Sequence, residues 1–518
     1  MIEPRNSRPF WMSLVLAAIS GLSLALPLVV PGSWLLGWVA LVPLLIALDG
    51  PEMTAPRAWL LGCVAGLALA LVASFWLPGF VARLKGYGPL LSWLSAGVLW
   101  FYTAQILALF ALAMHLTRQS RIPVVWRTAV WLALIFLVFP AQFRIRPGES
   151  QAEFLVAIQG VSLFGVHGLD VMMGLANGVV FTLLRRSGQR LSMTGALGLL
   201  VVWFGFGALQ FIPGAQSETA DTLRAGLVQP DQPPVRGEPD PEAGFTHGYP
   251  PAMALSRDLA QAGAQLVLWP EVRFNPYYRE PGLGEAYRRQ VAEMGVPVLF
   301  QAMEVDTSGR EYNAAVYLDG TGREQQSYRK VNLVPLGERL PQMPMLDGLL
   351  ARWLGGFLDK VTAGSGPVNI SLADGPVLVP LICYDVMFPR FVAQAARTAP
   401  GGVLVALSNN AWFGDSALPR QHLGASVLRA VENRMPMVHV MNNGPSAVIS
   451  HLGQYRFRSD YGKRAGYLVD IPVPERRLAT FYQVVPWFTP ALLVTLGVLL
   501  ILATLAGRRR AASNSTGL

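Results

Sequence analysis

Three residues of this chain have the types that nucleophilic acyl chemistry needs, and each stands at the end of an apolar run or beside a turn. Cys383 directly follows Val377-Leu378-Val379-Pro380-Leu381-Ile382, so a strand ending at Ile382 presents its thiol to a cleft. Alone, a free cysteine is as readily a small core hydrophobe, which is the reading for Cys63 within an apolar stretch. Glu271 closes Leu266-Val267-Leu268-Trp269-Pro270-Glu271, and Lys330 and Glu338 stand in the segment from Tyr328 to Glu338. Charged residues in such places are usually solvated. Together they make a sharper case. A cysteine nucleophile needs a base for its proton and a cation or amide donors for the tetrahedral oxyanion, and Glu271, Lys330 and Cys383 supply those roles. A papain-like pair, with His422 or His439 as base, is the competing arrangement, although neither histidine lies in a recognisable local signature.

The elements that must position these groups are legible in the same segment. Short β-rich runs at Leu266 to Trp269, Val296 to Gln301, Ala314 to Leu318, Val377 to Ile382, Val403 to Leu407, Val438 to Val440 and Ala447 to Ile449 end in polar residues. Helical patterns, among them Pro251 to Ala262, Leu283 to Met294 and His422 to Glu432, lie between many of them. This alternation predicts an α/β domain with buried strands and a site at the strand ends. The domain is expected over 213–484, opening with a Pro-rich, acidic linker from Gln229 to Pro251.

The rest of the chain is of another kind. Of 518 residues, 52% are hydrophobic and only 14% charged, which excludes a disordered, collagenous or coiled-coil protein. Apolar stretches near 10–27, 30–48, 58–80, 89–115, 123–139, 163–184 and 192–212, and one more near 485–506, predict a multi-span α-helical membrane bundle over 1–212, a last transmembrane helix over 485–507 and a basic tail over 508–518. The net charge of +9 comes from scattered basic residues and runs flanking apolar stretches, so it indicates membrane topology and no nucleic acid partner. Arg5 and Arg8, Arg118 to Arg127, Arg185 to Arg190 and Arg508 to Arg510 fall on one side if there are eight spans. Both termini are then cytoplasmic and 213–484 lies across the membrane. Two cysteines and six histidines without ligand spacing give no expectation of a metal site or a disulfide framework.

With these residues in place, the chain resembles the bacterial apolipoprotein N-acyltransferases, a membrane-anchored branch of the nitrilase superfamily. The motifs are Trp269-Pro270-Glu271, Tyr328-Arg329-Lys330, Val334-Pro335-Leu336-Gly337-Glu338, Cys383-Tyr384-Asp385, Ser408 to Ser416, Gln421-His422 and Asn442-Asn443-Gly444. The resemblance implies a four-layer α-β-β-α sandwich carried by an inner-membrane bundle, with the catalytic domain in the periplasm. It further implies an acyl chain taken from a phospholipid such as phosphatidylethanolamine, held as a Cys383 thioester and passed to the α-amine of a lipoprotein's diacylglyceryl cysteine. On that reading Glu271 is the base, Lys330 and the backbone N–H of Tyr384 hold the oxyanion, and Glu338 orients Lys330 or assists proton transfer. No cofactor is expected, since the donor ester already carries the activation, and the protein is expected to be a monomer among membrane lipids.

The chain also departs from the family's usual pattern. Asp385 stands where a Glu is common, Val427 where an Arg is frequent, His439 and Met441 where Arg and Thr are usual, and no Trp occurs between Gln229 and Gly263. Between Pro344 and Gly364, apolar residues including Leu350, Trp353 and Phe357 recur at helical spacing, as either a core-facing helix or a membrane-docking arm giving access to lipid. Two other functions fit the same residues: a paralogue acting on a different amine or amide, and a non-catalytic protein that binds lipid or lipoprotein.

Overall fold

The computed structural model describes residues 9–50, 52–185, 189–212, 221–235, 237, 239–272, 275–278, 280–340, 348, 361–473 and 479–515. The chain divides into two compact units, one of Met1–Phe75, Trp93–Ile212 and Val485–Leu518, the other of Trp76–Ser92 and Pro213–Val484.

The first unit is helical. Its apolar stretches fold as α1 (Phe10–Val29), α2 (Val42–Leu48), α3 (Ala55–Ala73), and, beyond the short α4 (Leu77–Lys85), α5 (Pro89–Leu116), α6 (Val124–Val138), α7 (Val161–Leu184), α8 (Arg190–Leu209) and the last helix, Phe488–Ser515. Six described helices are long and apolar enough to cross a bilayer: α1, α3, α5, α7, α8 and the last one. Small residues let them pack closely. A Cβ on Gly21 of α1 would meet the Ala65 carbonyl oxygen of α3 at 2.0 Å, and one on Gly66 of α3 would meet that of Ala104 in α5 at 2.2 Å.

Three expected spans differ. The stretch 30–48 breaks into a 3-10 turn, Trp34–Trp38, and the seven-residue α2. Backbone groups freed by that break find partners inside the unit: Asn177 accepts from the Leu41 N–H at 2.7 Å and donates to the Gly37 carbonyl at 3.1 Å, and Gln151 donates to that of Trp34 at 3.1 Å. Irregular backbone in an apolar environment requires such partners. The stretch 58–80 ends as a helix at Ala73, and α4 starts at Leu77 with Pro78 in its first turn and folds with the second unit. The stretch 123–139 forms the 15-residue α6, short of a full crossing.

The second unit is an α-β-β-α sandwich. One sheet has the order β12-β1-β2-β3-β4-β5, with β1 at Asp221–Gln229, β2 at Leu266–Leu268, β3 at Val298–Val305, β4 at Glu311–Leu318, β5 at Glu324–Arg329 and β12 at Ala465–Val473. The other runs β11-β10-β9-β8-β7-β6, with β6 at Ile370–Ser371, β7 at Val377–Ile382, β8 at Val403–Ser408, β9 at Met437–Met441, β10 at Ala447–Ile449 and β11 at Tyr455–Arg458. Adjacent residues point to opposite faces. Leu266 and Leu268 meet Leu378, Val405 and Val438 between the sheets, while Val267 and Trp269 pack under α9 (Pro251–Gln261) and α10 (Pro281–Met294). On the far side α11 (Pro389–Arg397) lies against β7 and α12 (Leu418–Asn433) against β9 and β10. Both faces of the central strands are therefore buried, which is why β7 and β8 read as unbroken apolar runs.

Candidate active site

Three strand ends converge. Pro270 has no N–H to continue the ladder beyond Trp269, so the chain leaves β2 and delivers Glu271 at the sheet edge. One residue past β5, the Lys330 N–H bonds the Asn313 carbonyl of β4 at 2.8 Å, which fixes where its side chain enters the interior. Cys383 follows β7 in a left-handed conformation, φ 49°, that turns the chain at once into the 3-10 turn Cys383–Met387. A residue other than glycine holds this conformation only where its surroundings enforce it. Here His422 donates from Nε2 to the Cys383 carbonyl at 2.9 Å, and Asp385 accepts from the Ile382 N–H at 2.9 Å.

The predicted set comes together. Lys330 Nζ lies 3.4 Å from Glu271 Oε1 and 2.8 Å from Glu338 Oε2, and Lys330 is 1% exposed. The Glu271 carboxylate lies near enough to the Cys383 thiol to raise its pKa. Glu338 returns to its own loop, accepting from the Val334 N–H at 2.9 Å, while Leu336 at φ 65° closes the turn. These groups line a cavity of about 680 Å³ whose other walls mix apolar residues, including Phe80 and Leu84 of α4, Val334 and Phe413, with polar ones, Asn275, Gln301, Glu311 and Asn409. Phe80 stacks on Phe413 at 4.6 Å, and Arg83 donates to the Trp412 carbonyl at 2.7 Å.

The charges set protonation. Burial pushes the Cys383 thiol well above its ordinary range, the Glu271 charge adds to the effect, and Lys330 opposes it. Burial alone would discharge Lys330, but Glu271 and Glu338 outweigh it and raise its pKa, so the ammonium persists. The thiol therefore rests neutral, with the Glu271 carboxylate and the Lys330 ammonium lining the same cavity.

Two further residues hold this set, one unremarked in the sequence and one a departure from the family's pattern. Asn313 Nδ2 donates to Glu271 Oε1 at 2.7 Å and to Glu338 Oε1 at 2.9 Å, joining both carboxylates. No motif marks it; only its position on β4 opposite Lys330 could have pointed to it. Asp385, one methylene shorter than the usual Glu, still reaches its partners: the Tyr328 hydroxyl at 2.7 Å, and the Asn332 N–H and side-chain amide, both at 2.9 Å. Tyr328 and Asn332 flank Lys330, so Asp385 ties the cysteine turn to the lysine loop. Tyr384 is buried, its ring edge-on to Phe388 at 5.2 Å.

The papain-like pairing is not formed. His422 faces the Cys383 carbonyl, and burial holds its pKa down to about 4. His439 lies between Ser408 and Ser426, 2.7 Å from each hydroxyl, and burial keeps it neutral as well. Met441 receives the Asn410 amide on its sulfur at 2.9 Å, and Val427 is buried in α12. Leu350, Trp353 and Phe357 lie outside the described residues. Among the described residues no group of His, Cys, Asp and Glu is placed to hold a metal ion.

Residues 224–468 match the carbon-nitrogen hydrolase family, and residues 20–179 match the apolipoprotein N-acyltransferase N-terminal domain. The chain is 31% identical over 511 residues to the apolipoprotein N-acyltransferase of Gloeobacter violaceus, covering 94% of this chain and 93% of that one. It is 26% identical to that of Chlorobaculum tepidum over 97% of each. Among solved structures, Saccharomyces cerevisiae Nit3, of the nitrilase superfamily, aligns with a TM-score of 0.38 at 18% identity, over 53% of this chain and 98% of its own. Matched along nearly its whole length, the chain is an acyltransferase that belongs to the apolipoprotein N-acyltransferase family.

Proposed function

We propose that this protein N-acylates the N-terminal diacylglyceryl cysteine of lipoproteins, with a phospholipid, phosphatidylethanolamine first among them, as donor and a Cys383 thioester as intermediate. The observation that carries this reading is the neutral Cys383 thiol in one cavity with the Glu271 carboxylate and the Lys330 ammonium, which lie 3.4 Å apart, and with the apolar side chains of Phe80, Leu84, Val334 and Phe413 on its walls. In the first half-reaction Glu271 takes the thiol proton as sulfur attacks the donor ester. Lys330 and the Tyr384 N–H hold the oxyanion, and the departing lysophospholipid oxygen takes the proton from Glu271. In the second, the acceptor amine attacks the thioester, Glu271 takes its proton, and the departing Cys383 sulfur recovers it. Glu338 holds Lys330 in place throughout. The apolar helices and the family make this an inner-membrane protein. With the broken stretch 30–48 and the short α6 crossing alongside the six long helices, the grouping of Arg118 to Arg127, Arg185 to Arg190 and Arg508 to Arg510 supports cytoplasmic termini and a periplasmic catalytic unit. The protein acts as a monomer.

Intact mass after incubation with defined phosphatidylethanolamine and no acceptor tests the first half-reaction. The expected result is one added acyl mass, lost with hydroxylamine and absent from Cys383→Ala. Absence of any adduct, with this donor or in protein taken directly from membranes, overturns the proposal.

A further inference from the structure

A second cavity, of about 350 Å³, lies in the catalytic unit beneath the linker that follows β1. It shares Val272, Asn275 and Asn409 with the catalytic cavity, so these three residues stand between the two. Asn409 is part of the site itself, since its N–H bonds Glu271 Oε2 at 3.2 Å. Although it has little regular secondary structure, the linker is held in place. Asn442 and Gln232 exchange hydrogen bonds, N–H to Oδ1 at 2.9 Å and Nδ2 to carbonyl at 2.8 Å, and Asn443 donates to Asp231 at 2.7 Å. The linker therefore arches over a formed space.

The chemistry of the wall selects the occupant. Eight of the lining residues are proline, which offers ring faces and carbonyl oxygens but no N–H. The cationic and ring donors of the wall bond within it: Arg464 to the Pro230 carbonyl at 2.9 Å and to Glu242 at 2.8 Å, and His247 to the Pro239 carbonyl at 3.1 Å, while the Phe245 N–H bonds the Glu242 carbonyl at 2.9 Å. Asp240 and Glu242 add acceptors, and Phe245 and Trp269 add aromatic surface. A phosphate headgroup needs free positive charge, whereas here Arg464 is paired with Glu242 and Asp240 adds a further negative charge. A polypeptide brings N–H groups and side chains of mixed character, which suit this wall.

We infer that this cavity is a subsite for the acceptor's polypeptide, holding the residues that follow the N-terminal cysteine while its amine lies between Glu271 and Cys383. The inference rests on the proposed N-acylation. An acceptor carrying no peptide would leave the cavity empty and lose its contribution to binding.

The test uses full-length enzyme first charged with acyl chain from phosphatidylethanolamine, then chased with diacylglyceryl-cysteine acceptors of one, two, four and six residues. The wild type should show an acceptor KM that falls about 10-fold or more between one and four residues, roughly the effect of one or two extra hydrogen bonds. In Phe245→Ala and Asp240→Asn that dependence should flatten, with the rate of thioester formation unchanged, which also certifies the fold. A KM independent of length in the wild type overturns the subsite. So does a variant that slows thioester formation as much as transfer, which would make this a donor site. Failure of the wild type to form a thioester would overturn the proposed function instead.

Discussion

Both units bury charge, and they use it differently. In the helical unit Arg146 and Glu149 pair at 2.7 Å, His167 Nδ1 lies 3.2 Å from Asp170 Oδ2, and the other Asp170 oxygen accepts from the Gly148 N–H at 2.7 Å. Those groups face one another and the backbone of the 3-10 turn Pro147–Gln151, which they fasten to α7. In the sandwich Lys330 is pinned between Glu271 and Glu338, yet the cluster lines an open cavity and keeps a neutral thiol near Glu271. The difference teaches that burial of charge does not mark a site. A site needs charge left adjacent to a reactive group and to space for a substrate.

If that contrast is right, its strongest consequence concerns Glu271. Glu271→Gln should slow thioester formation from phospholipid by about 10²- to 10⁴-fold through loss of the base. The same change should speed alkylation of Cys383 by iodoacetamide at pH 8. Glu271 is one cause of the raised thiol pKa, so removing its negative charge lets Lys330 stabilise the thiolate, and the pKa falls. Slower alkylation in the variant would contradict this assignment of charges.

Asn313 comes next in size. Asn313→Ala removes two hydrogen bonds to carboxylates, and the single-turnover acylation rate should drop about 10- to 100-fold, with half-saturation by phospholipid unchanged. A loss expressed mainly as weaker donor binding would mean that Asn313 shapes the cavity and leaves Glu271 alone.

The smallest effect on activity belongs to the helical unit. Asp170→Ala deprives the Gly148 N–H of its acceptor, at a cost of about 1–3 kcal/mol, visible as a lower Tm in detergent. Thioester formation per folded molecule should stay within about 3-fold of wild type, which is under 1 kcal/mol. A collapse of activity at unchanged Tm would erase the distinction between the two regions.

Some of this was legible before any fold was known. Strands β7, β8 and β10 announce themselves as apolar runs because both of their faces are covered. Strands β1, β5, β11 and β12 carry polar, outward-facing positions and were not read: β5 is Glu324-Gln325-Gln326-Ser327-Tyr328-Arg329, an edge strand with no apolar periodicity. Glu271, Lys330 and Cys383 were found because each combines a reactive type with the end of such a run or a turn. Asn313 was not found, since an Asn in the strand Glu311–Leu318 has no local mark, and its partner Glu271 is 42 residues away in sequence.

The sequence by itself therefore determined the division into an apolar helical region and an α/β region, and singled out three residues that the fold brings into one cavity. Composition and periodicity are local quantities that a chain carries whether folded or not. Only the tertiary structure decided that Trp76–Ser92 fold with the catalytic unit, that 30–48 is broken and re-bonded through Asn177, that Asp385 spans to Tyr328 and Asn332, and that the linker after β1 arches over a cavity. Each of these depends on contacts between residues far apart in the chain, fixed by sheet register and helix packing.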